Sequence, residues 1–189
     1  MRRGFKTEAE ALALTVRKQM GLPVSDALDA KQLAWHVGAE VHAADELIDR
    51  ARLEELEQVQ AGAFSACTYT IGRKHVVVYS PLASPARTQS DIAHEVAHIL
   101  LSHQINSVQT IGDVSFFTCD ADEEQEANWL AGCLLLPRPL LLNAAKRGMD
   151  ISEIAERYRV SDDMAGFRLR TTGVLRQLDA AKRRGRMAG

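Results

Sequence analysis

The sequence predicts an α+β fold: a short β-sheet packed by helices, followed by a helical C-terminal subdomain. Three observations carry this. The runs Ala61–Ile71 and Lys74–Tyr79 are β-rich and meet at Gly72-Arg73, so they read as paired strands. On both sides of them, apolar residues recur at helical spacing. Beyond Gly148 only helical periodicity remains, which sets the expected division into residues 1–148 and 149–189. The chain has 189 residues, enough for one domain with a small appended subdomain, and its 46% hydrophobic content can fill a core.

In order, residues 7–20 read as a helix stopped by Gly21-Leu22-Pro23. A second helix covers about 29–37, capped by Asp29 or Asp26, with His36 expected to be half-buried on it. Ala39–Ala43 reads as a short strand. The charged, leucine-spaced stretch Asp45–Gln58 reads as an exposed helix or long excursion. Val76-Val77-Val78 is continuous and β-branched, which suits a central strand. Ser80-Pro81 and Ser84-Pro85 turn the chain out of the sheet into a helix running to about Ser102. Gln104–Thr118 lacks a clear period and reads as a loop passing near that helix. Asp120–Leu136 is a strong helix whose acidic first turn (Asp120, Asp122, Glu123, Glu124) suits the positive helix start. Pro137 and Pro139 are expected to end it, with a short helix from Leu140 to Arg147. Ile151–Tyr158, Ser161–Arg170 and Thr172–Arg183 complete the chain as helices.

A net charge of −2 gives no reason to expect general affinity for nucleic acid or membranes, and no run approaches the length of a membrane span. The charge is uneven: from Lys146 onward eleven Lys/Arg face six Asp/Glu, a net of +5, leaving −7 in residues 1–145. Three cysteines, Cys67, Cys119 and Cys133, are odd in number and lack C-x-x-C spacing, which argues for a reducing compartment. Met1-Arg2-Arg3 is not followed by an apolar secretory stretch, so a cytoplasmic location is expected.

The chemistry-bearing stretch is Ile92-Ala93-His94-Glu95-Val96-Ala97-His98-Ile99-Leu100-Leu101. On a helix, residues four apart share a face, so His94 and His98 can offer imidazoles to one metal ion. Glu95 lies about 100° round the helix, where its carboxylate can reach a metal-bound water without ligating. This His-Glu-x-x-His arrangement is that of zinc metalloproteases. A histidine pair on an ordinary amphipathic helix is the alternative, and chance supplies the pentapeptide in roughly one such chain in a hundred. A second segment, Glu123-Glu124-Gln125-Glu126-Ala127-Asn128-Trp129-Leu130-Ala131-Gly132-Cys133-Leu134-Leu135-Leu136-Pro137, could supply the third protein ligand that zinc needs. Read alone, its acids merely complement a helix dipole.

Taken as a pair, these two segments resemble the ImmA/IrrE family of gluzincin-type zinc metallopeptidases, small cytoplasmic proteases of bacteria and their mobile elements. The resemblance covers most of the chain and implies a small zincin-like fold. It also implies Glu124 as third ligand and Asn128 as the group supporting a metal-bound histidine. Glu124 and Asn128 are i and i+4 and face the same way, as those roles require. Glu126 is the runner-up ligand. Ala97 stands where the family usually has glycine, and Leu130 where it usually has an aromatic residue; neither touches the metal chemistry.

The resemblance further implies a substrate, a helix-turn-helix repressor cut to release a stress response or a mobile element. Zn²⁺ is the default for two imidazoles and a carboxylate, with Mn²⁺ or Fe²⁺ admissible. Glu95 would be the general base. An oxyanion helper is expected among His103, Tyr79 and His75; His103, nine residues after His94 on a continuous helix, would lie some 13 Å along its axis. Ile151–Ser161 could also pass for the start of a helix-turn-helix. The arginines of the following helix, Arg168 and Arg170, lie at its end and not at its start, so a packing or partner role is favoured over DNA reading. The alternative function is a non-catalytic zinc-containing module that binds a repressor or DNA through these C-terminal helices.

Overall fold

The computed structural model describes residues 1–72, 74–103, 108–111, 114–117 and 120–187, with backbone alone for the segments 108–111 and 114–117 and for 182 and 185–187. The chain runs α1 (Phe5–Gln19), α2 (Ala30–His36), β1 (Ala39–Ala43), a 3₁₀ turn (Ala44–Glu46), α3 (Arg50–Val59), β2 (Ala66–Ile71), β3 (Lys74–Tyr79) and α4 (Pro85–Leu101). Then follow β4 (Val108–Ile111), β5 (Val114–Phe117), α5 (Ala121–Leu135), α6 (Arg138–Lys146), α7 (Ile151–Tyr158), α8 (Asp162–Thr171) and α9 (Val174–Met187). This is an α+β architecture built on a small sheet.

The sheet has the order β1-β3-β2, with β3 parallel to β1 and antiparallel to β2. The β-branched run in β3 is therefore central, paired on both sides. Alternation sends neighbouring side chains to opposite faces. Val77 enters the main core beneath α4, while Val78 joins a small cluster with Ala44 and Leu53 under α3. β2 is an edge strand, and its Thr68, opposite Val77, faces the α4 side.

Helix starts follow local chemistry. Asp29, not Asp26, caps α2 by accepting from the backbone N–H groups of Lys31 and Gln32. Ser84 caps α4 with Pro85 in its first turn, and Asp120 caps α5 by accepting from Asp122 and Glu123. The main apolar core is one cluster running from Phe5 to Val174, so the C-terminal helices pack on the same interior as the rest. Two arginines, Arg17 and Arg168, are wholly buried within it.

Several expectations are corrected. Residues 61–65 are not strand: positive φ at Gly62 turns the chain before β2 begins at Ala66. The stretch from Asp45 splits into a 3₁₀ turn and a helix that starts only after its Asp49 cap. His36 is exposed. Pro139 does not stop a helix but sits in the first turn of α6, where its missing N–H costs nothing. Within 104–118, an expected loop, the described parts form an antiparallel pair, β4 with β5; the remainder, like Cys119, lies outside the described residues.

Candidate metal centre

Helices α4 and α5 pack against each other and bring His94, His98 and Glu124 together. The two Nε2 atoms are 3.0 Å apart. Glu124 straddles them, Oε2 at 3.3 Å from His94 Nε2 and Oε1 at 3.2 Å from His98 Nε2. Among the described residues this is the group of three or more His, Cys, Asp or Glu whose donor atoms converge, all within 4.8 Å of one another. The donor set fits zinc. Ligands at about 2.0–2.1 Å in a tetrahedron have neighbours about 3.3 Å apart.

Around the trio, Asn128 donates from Nδ2 to the Glu124 carbonyl at 2.9 Å, and its side chain favours the charged form of the His94 ring. Glu95 points to the sheet side, where Thr68 Oγ1 donates to its Oε2 at 2.7 Å. Thr68 was not legible as a site residue. Its one signal is its inward position on β2, which only the register reveals. Asp91, one turn before Glu95, accepts from Arg87 Nε at 2.9 Å and lines a cleft together with His94 and Glu124.

Burial and charge act differently on each group. Burial pushes the Glu95 carboxyl up, opposed by the Thr68 hydroxyl and the His94 ring. His94 is disfavoured as a cation by burial, yet Glu124, Glu95 and Asn128 together hold it above the ordinary histidine value. His98, buried and facing His94, is pushed down to about 4.

The cleft beside His94, about 500 Å³, is walled by Asp91, Glu124 and Asn128 on one side and by Ser161, Met164 and Phe167 of the α8 region on the other. A wider cavity of about 940 Å³ lies between α2, the start of α4 and α7, and contains none of the trio. The candidate site is placed at the smaller cleft because, among the described residues, the donors that could hold a metal converge beside it. Tyr79 lies in the wider cavity, its hydroxyl accepting from Lys31 Nζ at 2.8 Å. His75 pairs with Thr70 across the sheet at 3.1 Å. His103 is not 13 Å down the axis. The helix ends at Leu101, Ser102 adopts left-handed φ 53, and His103 folds back until its Nδ1 is 3.0 Å from His98 Nδ1. Glu126 sits behind His103 (Nε2 to Oε2, 3.9 Å). Arg168 is inside the protein, where it cannot meet a nucleic acid.

This is the geometry of a zincin-like domain. Residues 39–170 match the peptidase family described as the IrrE N-terminal-like domain, and the chain belongs to that ImmA/IrrE family, whose members are generally zinc-dependent. A solved structure named Mycobacterium tuberculosis transcriptional regulator shares the fold with a TM-score of 0.56 at 22% identity. The match covers 89% of this chain and 47% of that one, so the chain spans about half the length of that structure. No curated protein matches the chain. Among the described residues no helix is long and apolar enough to cross a membrane.

Proposed function

We propose that the chain is a zinc-dependent endopeptidase in which His94, His98 and Glu124 hold the metal and Glu95 is the general base. The observation carrying this is the convergence of three donors from two helices at separations that suit one tetrahedral ion, with a second carboxylate, that of Glu95, on the same helix as the histidines. When bound, zinc supplies Lewis acidity that acidifies a water and polarises a peptide carbonyl. Glu95, its carboxyl pushed up by burial, takes the proton of the attacking water and returns it to the leaving amine. Thr68 holds that carboxylate by one oxygen and leaves the other for the proton. Asn128 fixes the His94 ring.

The substrate we propose is a helix-turn-helix repressor, cut to release a stress response or mobile element. The resemblance of the paired motifs supports it, as does the fold shared with a protein named a transcriptional regulator. The odd cysteine count supports a cytoplasmic setting. Residues 149–189 act in this reading as a subdomain whose α8 forms one wall of the cleft.

The test begins with elemental analysis, in which the wild type should hold one zinc per chain and His98→Ala none. Glu95→Gln should then keep the zinc and lose at least about 10²-fold in cleavage of a helix-turn-helix repressor. Equal cleavage by Glu95→Gln would sink the enzymatic reading and leave a module that works by binding alone.

A further inference from the structure

The Nδ1 side of His98, which faces away from Glu124 and His94, meets a line of largely buried groups that the proposed chemistry leaves unused. His98 Nδ1 lies 3.0 Å from His103 Nδ1. The other nitrogen of His103, Nε2, faces Glu126 Oε2 at 3.9 Å. Glu126 is held from the far side, its Oε1 accepting the Arg2 backbone N–H at 2.9 Å with the Arg2 guanidinium at 3.8 Å. The His98, His103 and Glu126 side chains are 12%, 8% and 13% exposed, so solvent does little to blur these contacts.

Two ring nitrogens at 3.0 Å need one hydrogen between them, and this fixes a tautomer order. If His98 is to present the lone pair of Nε2 beside Glu124, its proton is on Nδ1 and is donated to His103 Nδ1. The His103 proton then sits on Nε2, aimed at a carboxylate. The backbone builds this arrangement on purpose. The N–H of Ser102 bonds Ile99 O and that of His103 bonds His98 O, both at 3.1 Å, closing the helix with a left-handed residue. That turn swings His103 back beneath the second histidine of the motif. Glycine favours such a position, and a serine there costs conformational energy.

We infer that His103 is a positioning residue of the metal centre, holding His98 in its metal-ready tautomer and orientation, with Glu126 acting through His103 and not as a ligand. This rests on the proposed metal site. Groups behind a ligating histidine typically govern metal affinity by about 10- to 100-fold.

The test is the zinc dissociation constant of the full chain, by competition with a chromogenic chelator, together with the melting temperature of the zinc-free protein. His103→Leu should still bind one zinc, 10- to 100-fold more weakly, while its zinc-free form melts within about 4 °C of wild type. His103→Asn, whose amide oxygen can accept from His98 Nδ1, should recover most of the affinity. Glu126→Ala should weaken binding less, and the double variant His103→Leu/Glu126→Ala should match His103→Leu alone. Unchanged affinity in His103→Leu, with one zinc in wild type, overturns this inference and leaves the metal site standing. So does complete loss of zinc in Glu126→Ala, which would make Glu126 a ligand. Absence of zinc from wild type overturns both readings.

Discussion

The two halves of α5 are made of opposite materials. Its first turns carry Asp122, Glu123 and Glu124 behind the Asp120 cap, all at the positive helix end, and Glu124 is 34% exposed. From Trp129 to Leu136 every residue is buried. A helix apolar all round must lie inside the protein, and there its last carbonyls lose water. Buried guanidiniums replace that water. Arg17 Nη1 donates to Leu134 O at 2.9 Å, and Arg168 Nε to Leu136 O at 3.1 Å, while Arg168 also pairs with Glu10 of α1. One end of the helix is anchored by α1 and α8, which leaves the other free to present a partly hydrated carboxylate to α4. Stability and chemistry are divided along a single helix.

The largest break in this division is expected from Arg168→Ala. It leaves the Leu136 carbonyl without its donor and the Glu10 carboxylate with the Arg138 backbone N–H in place of a guanidinium, a loss of about 3 kcal/mol, the low end for halving a buried pair. Urea unfolding measures it, and zinc affinity of the folded protein should be unchanged. A loss below about 1 kcal/mol would show that the anchor is ornamental. Gly132→Ala should cost less, about 1–3 kcal/mol, because the added methyl would lie 2.6 Å from Arg168 Cδ and push the arginine off its carbonyl. The two effects share a cause. Gly132→Ala placed in Arg168→Ala should therefore add little, and full additivity would break the explanation.

The same division marks what the sequence made legible. The acidic half of α5 and the histidine pair are local patterns of a single helix each, and both can be read directly. β3 was placed at the centre of the sheet by three consecutive valines, because a strand buried on both faces reads as continuous and apolar. What could not be read depends on contacts distant in sequence. Arg17 and Arg168 look like surface charges, since nothing near them names the carbonyls they cap more than thirty residues away. Thr68 reaches Glu95 only through the β2–β3 register. His103 was misplaced because extrapolating α4 past Leu101 ignores the left-handed residue that ends it. In 104–118, Val108–Ile111 and Val114–Phe117 flank Gly112-Asp113, a two-residue turn signal that was available and weaker than the run of polar residues around it.

The effect that is smallest per step, about 1.4 kcal/mol for each pH unit, and the one that sharpens the contrast most, is on pH. At the buried end, burial pushes the Cys133 thiol up to about 12, so it stays protonated at any ordinary pH. At the site end two histidines pull apart. His94 is held above the ordinary histidine value of 6.5, and His98 is pushed down to about 4. A protonated imidazole cannot donate its lone pair to a metal, so zinc must displace the His94 proton but finds His98 already neutral. The sign follows: acid weakens binding, and of the two histidines only His94 takes part between about pH 6.5 and pH 4. Over that window the apparent zinc affinity should fall about tenfold per unit, or about 1.4 kcal/mol, with one proton released per ion. The slope should steepen toward two only below about pH 4. Chelator competition at a series of pH values measures it. A slope of two already at pH 6 would mean that His98 also carries a proton there, and that burial and the nearby His94 ring do not hold it neutral.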